Sequence, residues 1–401
     1  MKTRRGALIA SVAAVVTALT AASSASAATA PAACTTPAWH VVPSPNAGSG
    51  DNGLAALDII AANDIWTVGS SLSGDVRSTL IEHWNGRRWS IVPSPNGSQP
   101  VNWLTGVSAV SPTDVWAVGF TNDGNGFSSQ SFNLILHWNG TSWTEVPAPN
   151  PIPDPNPGGY PVSNELYAVK AISANNVWAV GHLFTFSGEL ATILHWDGSS
   201  WSNASPVIPS RFSRLRSIDA LSATDMWAVG EIQRDYTQQT LAMHYNGSSW
   251  SLVPSPNASP NADYILSVSM AASNDVWAVG YGNQVFGFSQ HWQTESMHWN
   301  GTTWSLVEIP DINQLNNYMR AVTAPSSTQV FAVGFWDTGS KLRTLAERWD
   351  GTQWGFQTSS NAGDVIDELV AVDSAAPRSL WSVGQYFGAF TYRTLIERFG
   401  C

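Results

Sequence analysis

Charge, lysine and cysteine are all scarce in this chain. Asp, Glu, Lys and Arg make up 12% of its 401 residues, and acids outnumber bases 29 to 18. An acidic, lysine-poor surface repels phosphate backbones and anionic membrane surfaces, so nucleic acid and membrane adhesion are excluded as expected partners. No His/Cys/Asp grouping has metal-ligand spacing, and no phosphate-cradling glycine loop is present. No cofactor is therefore expected, with an axial calcium ion kept only as an alternative that the sequence does not support. Helical periodicity is missing over any useful length. Past the N-terminus there is also no apolar run long enough to span a membrane.

What the chain does have begins with an export signal over residues 1–27. Lys2, Arg4 and Arg5 form a basic head, an apolar stretch runs from Ala7 to Ala22, and Ala25-Ser26-Ala27 is a small-residue cleavage site. The residues after Arg4-Arg5 match a twin-arginine signal poorly, which favours general secretion. Without this segment 15 basic residues face 29 acidic ones, a net charge of −14, and Lys170 and Lys341 are the remaining lysines. The mature protein is expected to be extracellular and monomeric, with residues 28–38 as a lead-in to one domain over 39–401.

Tryptophan is abundant, at 21 copies, and most copies recur at fixed places. A phrase of apolar, aromatic and small residues followed by Val-Gly appears seven times. Its aromatics are Trp66, Trp116, Trp178, Trp227, Trp277, Phe331 and Trp381, about 50 residues apart. Such a period marks a solenoid, propeller or array. Each repeat holds four short apolar segments. The second is the phrase itself, usually led by an Asp such as Asp64 or Asp114. The third reads Thr-Leu-Ile-x-His-Trp, and the fourth starts at a Trp and ends in Pro. Asn-Gly or Asp-Gly separates the third from the fourth, as at Asn85-Gly86 and Asp350-Gly351, which predicts a type I′ hairpin turn. The fold expected is all-β: a seven-bladed β-propeller with four antiparallel strands per blade.

The two ends of the chain complete that pattern. The last repeat stops after its third segment, Thr394 to Phe399, whereas Trp39 to Pro43 is a fourth segment with no repeat before it. The N-terminal segment is therefore predicted to close the ring as the outer strand of the seventh blade. The only cysteines, Cys34 and Cys401, flank that break, and an exported chain favours a disulfide between them. In the chain-entropy picture a bridge closing so long a loop is worth about 4–5 kcal/mol.

Loop lengths separate scaffold from site. The first-to-second and third-to-fourth connections never change length, whereas the other two do, and in a meander these share one face. Residues repeated in most blades read as scaffold: His83, His137, His195, His244 and His298 as structural polar partners, and the Asp before each phrase as a turn cap. A polar ring from Asn52 to Asp367 reads as turn capping at the start of each first strand. Six sequons, at Asn96, Asn139, Asn203, Asn246, Asn257 and Asn300, follow from loop composition.

The unrepeated residues of the variable face are the candidates for ligand binding: Trp103, Glu165, His182, Arg214, Tyr264, Tyr281, Trp292, Tyr318, Trp336 and Glu368. Aromatics mixed with carboxylates and arginine suit carbohydrate, whose rings offer C–H faces for stacking and hydroxyls for hydrogen bonds. A lectin-like binding protein is the leading expectation. The alternative is a carbohydrate-active lyase or hydrolase using Glu165, His182, Arg214, Glu231 and Tyr264, with the Pro151 to Pro161 insertion as a wall. A protein–protein scaffold with an apolar patch is a third reading.

The pair Asp-Val-Trp-Ala-Val-Gly and His-Trp-Asn-Gly-x-x-Trp resembles the repeat of secreted actinobacterial β-propeller proteins, over residues 39–401. That resemblance implies the fold and export but no single activity. A looser likeness to seven-bladed lectins points the same way. The marks of WD40, kelch and sialidase-type blades are absent, so sialidase chemistry does not transfer.

Overall fold

The computed structural model of the protein describes residues 37–124, 129–150, 163–185, 188–286, 289–376 and 379–400. The export signal, the lead-in to residue 36, both cysteines and the Pro151 to Pro161 insertion lie outside these residues.

Every regular element among the described residues is a β-strand. The strands form antiparallel meanders of four. Five are separate four-stranded sheets. Two more, beginning at Asn52–Ala61 and Val101–Ser111, are joined by a single parallel bridge between Arg77 and Val101. One sheet draws on both ends of the chain. Its inner strands are Asp367–Ala376, Ser379–Gly388 and Thr391–Gly400, and its outer strand is Ala38–Val41, with Ala38 opposite Gly400 and Trp39 opposite Phe399.

The repeated phrase supplies the middle of each sheet. Ile65, Trp66 and Val68 are all at most 2% exposed, because a second strand is covered on both faces by neighbouring sheets. The Val-Gly glycine has a steric cause. A Cβ on Gly69 would lie 2.0 Å from the Gly53 carbonyl oxygen, where the first strand bulges between Leu54 and Ala56. The same close approach recurs at Gly119, Gly181, Gly230, Gly280, Gly334 and Gly384.

Sheets are joined by one aromatic arrangement used repeatedly. Trp66 meets Trp138 at 5.1 Å and Trp143 edge-on at 5.4 Å, both from the following sheet. Trp116, Trp178, Trp227 and Trp277 make the equivalent contacts one sheet further on each time. Phe331 packs on Phe399, which packs on Trp39, and Trp381 packs on Trp84 and Trp89 of the first full repeat.

Two local expectations need correction. The Asp before the phrase does not act as a turn cap. Asp64 Oδ1 meets His83 Nε2 at 2.7 Å, and Asp114, Asp225 and Asp275 hold His137, His244 and His298 in the same way. The His ring in turn stacks on the phrase tryptophan, 4.3 Å away for Trp66 and His83. Where Gln329 and Ser379 replace the acid, Arg348 and Arg398 replace the His and lie over Phe331 and Trp381. The Asn-Gly turn is also not type I′. Gly86 alone has positive φ, and Asn85 Oδ1 accepts from the amides of Arg87 and Arg88, an Asx turn within a four-residue loop. Two-residue loops with both φ positive occur instead at Asp235-Tyr236 and Ala389-Phe390.

Among the carboxyls buried inside the sheets, Glu82, Glu347 and Glu397 are 0%, 1% and 0% exposed. Burial raises them from an ordinary 4.5 to about 8, 9 and 8, so they are protonated at neutral pH. Because the folded state holds these protons more tightly, the stability they contribute is full below pH 4.5. It is lost as pH rises toward 8–9. The melting temperature should therefore fall between pH 5 and pH 9, by roughly 2 °C for each kcal/mol lost. Glu82→Gln should flatten part of that fall in a calorimetric series. A wild-type melting temperature that does not change with pH would show that these groups ionise freely.

Candidate functional site

The inner strands face a common axis. Each carries a bulge, and the bulged residue is turned toward that axis. Ala55, Thr105, Tyr167, Arg216, Leu266, Arg320 and Val370 occupy the bulge positions, and all of them line one cavity of about 720 Å³. Arg214, Tyr264 and Tyr318, two residues earlier on their strands, form its upper wall with Tyr281, Trp292 and Gln385.

One side of the cavity is aromatic. Tyr281 meets Trp292 at 5.3 Å and Tyr318 at 4.9 Å, both edge to face, and lies 5.5 Å from Tyr264. Phe335 backs Tyr318 at 4.9 Å. Burial and the neighbouring Tyr281 push the Tyr318 hydroxyl up to about 12, so it stays a neutral donor and acceptor.

The adjoining side is charged and already paired. Arg216 binds Glu231 through Nε at 3.1 Å and Nη2 at 2.7 Å, and Arg214 Nε donates to Glu189. The Arg216 guanidinium also lies 4.7 Å over the Tyr167 ring. The Tyr167 hydroxyl donates to Glu165 at 2.9 Å, and Ser131 donates to the other Glu165 oxygen. His182 is stacked behind Tyr167 at 5.4 Å. Burial first, then Arg214 and Arg216, hold its imidazole down at about 3, so it is neutral.

Below the cavity a second layer ties the inner strands together. Asp58, Ser108, Asp219, Ser269 and Asp373 each accept a backbone N–H from the next sheet: Ala109, Ala171, Met270, Ala324 and Ile59 respectively. Lys170 projects among the acids, 2.7 Å from Asp219. Burial and Asp373 raise Asp58 to about 7, and burial raises Asp373 as well. In the polar ring at the start of the inner strands, several side chains bind loop backbone, whereas the Asn164 Oδ1 is buried without a partner. Asn52 accepts from Ala47 and donates to Gly50, and Asn102 accepts from Gly97. Asp263 accepts from Ser259. Among the described residues no group of three His, Cys, Asp or Glu could hold a metal ion.

Of the residues proposed from sequence, Arg214, Tyr264, Tyr281, Trp292 and Tyr318 come together around the cavity. The others stand apart from its lining. Glu165, His182 and Glu231 sit behind Tyr167 and Arg216. Trp103 lies under the Arg77 guanidinium at 3.9 Å, Glu368 accepts from Gln385 at 3.0 Å, and Trp336 packs on the cluster around Trp277. Sequence reasoning missed Tyr167, Arg216 and Arg320. The strand period of two, extended one step from the residue before each first strand, reaches all three.

The floor can be tested by Lys170→Met, which leaves Asp58, Asp219 and Asp373 without their cation. We expect about 1–3 kcal/mol of destabilisation by urea titration at pH 8. The loss should shrink at pH 5, where Asp58 is protonated. An equal loss at both pH values would mean that the acids do not feel the lysine charge.

No family model and no curated protein matches the sequence. The fold, in contrast, resembles solved β-propellers. YCF48 bound to D1 peptide superposes with a TM-score of 0.52 at 13% identity, covering 90% of this chain and 97% of that one. YCF48 from Cyanidioschyzon merolae gives 0.52 at 15%, over 90% and 98%. The GH74 xyloglucanase from Xanthomonas campestris gives 0.53 at 10%, covering 87% of this chain and 53% of that one. At these identities the likeness is one of fold.

Proposed function

We propose that the chain is an exported carbohydrate-binding protein: a seven-bladed propeller, closed by its N-terminal strand, that takes a glycan in the axial cavity. The observation that carries this reading is the wall of Tyr264, Tyr281, Trp292 and Tyr318. Its rings are fixed by one another at 4.9–5.8 Å and face open space. Rings held in this way stack on sugar C–H faces without further ordering, and their hydroxyls and the indole N–H reach sugar hydroxyls. Among similar folds, the GH74 xyloglucanase is named for a polysaccharide and one YCF48 structure holds a peptide.

Binding rather than catalysis is favoured by the acids beside the cavity. Glu165, Glu189, Glu231 and Glu368 each already hold a partner, so none is poised as a base or nucleophile. The neutral, stacked His182 gives no alternative.

Screening against plant and microbial oligosaccharides should find a ligand that Tyr281→Ala or Trp292→Ala weakens by about tenfold or more. A fully folded protein that binds nothing on such an array would remove the reading. The pairing of Ala38 with Gly400 brings residues near Cys34 and Cys401 to one sheet edge, which supports the proposed disulfide. Alkylation of the native exported protein should find no free thiol, and two modified cysteines would contradict the bridge.

A further inference from the structure

Among the described residues, three guanidinium groups line the axial cavity and no carboxylate does, although acids outnumber bases in the chain as a whole. Two of the three are neutralised from behind. Glu189 holds Arg214, and Glu231 holds Arg216 through both of its oxygens. Arg320 is different: among the described residues it has neither a hydrogen bond nor an ion pair, yet it stands on the cavity wall. The equivalent bulge positions elsewhere carry Ala55, Leu266 or Val370, so nothing in the repeat requires an arginine there.

An unpaired guanidinium on a half-buried cavity wall is costly to the fold. Burial, and then the nearby Arg216, work against its charged form, while Tyr281 and Glu368 only partly offset them. An anion arriving in the cavity would remove that cost.

We infer that Arg320 is the anion-binding residue of the axial cavity, and that the saccharide bound there carries a carboxylate, as in a uronic-acid-containing oligosaccharide. This rests on the carbohydrate reading given above. One uncompensated guanidinium matches one negative charge, and its planar fork fits a carboxylate through two parallel hydrogen bonds. A phosphate dianion would leave charge unmatched. Arg320 and the Tyr281–Trp292–Tyr318 wall line the same cavity, so one sugar residue can stack while its carboxylate is held.

Calorimetric titration with trigalacturonic acid, its methyl ester and a neutral trisaccharide tests the inference on the full-length exported protein. The free acid should bind at least about tenfold more tightly than the ester. Arg320→Gln should abolish that preference, and Arg320→Lys should restore part of it. Because Arg320 has no partner to lose, Arg320→Gln should keep or raise the melting temperature, which separates lost binding from misfolding. Equal binding of acid, ester and neutral sugar, unchanged in Arg320→Gln, would overturn the inference and leave the glycan reading intact. If no saccharide binds while a short peptide with a free C-terminal carboxylate binds through Arg320, the glycan reading falls and the anion contact stands. Absence of binding by any saccharide or peptide would overturn both.

Discussion

The aromatic ring in the second strand of each sheet is the constraint on which the rest of this structure depends. Trp66, at 2% exposure, is wedged against Trp138 and Trp143 of the next sheet and backed by His83 in its own. Burying a ring of that size is worth roughly 4–6 kcal/mol on area grounds, as an upper figure. The wedge also fixes the distance between sheets, because edge-to-face packing tolerates little sliding. The His–Asp pair behind it holds the ring at its angle. Asn176 stands in for the acid beside His195, and in the last two repeats an arginine over the ring takes over that task.

Rigid spacing at the outside frees the inside. With the sheets held by their second strands, the inner strands need only short, polar links, and these are the side chain-to-amide bonds of Asp58, Ser108, Asp219, Ser269 and Asp373. The Val-Gly glycine lets the inner strand bulge, and the bulge aims one residue per sheet at the axis. A scaffold device thus creates seven positions whose side chains are free to vary, and the cavity chemistry resides there.

Much of this was legible in the sequence, and its limits have physical causes. The spacing of Trp66, Trp116 and their counterparts revealed the repeat, because close-packed rings cannot be displaced. Arg214, Tyr264, Tyr281, Trp292 and Tyr318 were found because they break the repeat at strand ends. Tyr167, Arg216 and Arg320 lie one strand period inside Glu165, Arg214 and Tyr318, within segments whose pattern reads as scaffold, and were missed for that reason. Glu165, His182 and Glu231 stand behind the cavity lining, because Tyr167, Ser131 and Arg216 take up their side chains, and such partners are not visible in one sequence. The Asn-Gly turns misled for a different reason. The dipeptide suits both a two-residue type I′ turn and a four-residue Asx loop, and the pairing of Trp84 with Trp89 decides for the latter.

The central claim is that function resides in the axial cavity rather than on the outer faces. The indole N–H signals of the protein report on this directly, because Trp292 alone among the tryptophans lines that cavity, while the phrase tryptophans are sealed between sheets. Titrating a bound oligosaccharide into the ¹⁵N-labelled protein should shift the Trp292 indole signal and leave those of Trp66, Trp116 and Trp227 in place. A ligand that binds without moving Trp292, while shifting indoles at the exposed edges of the sheets, would contradict the account.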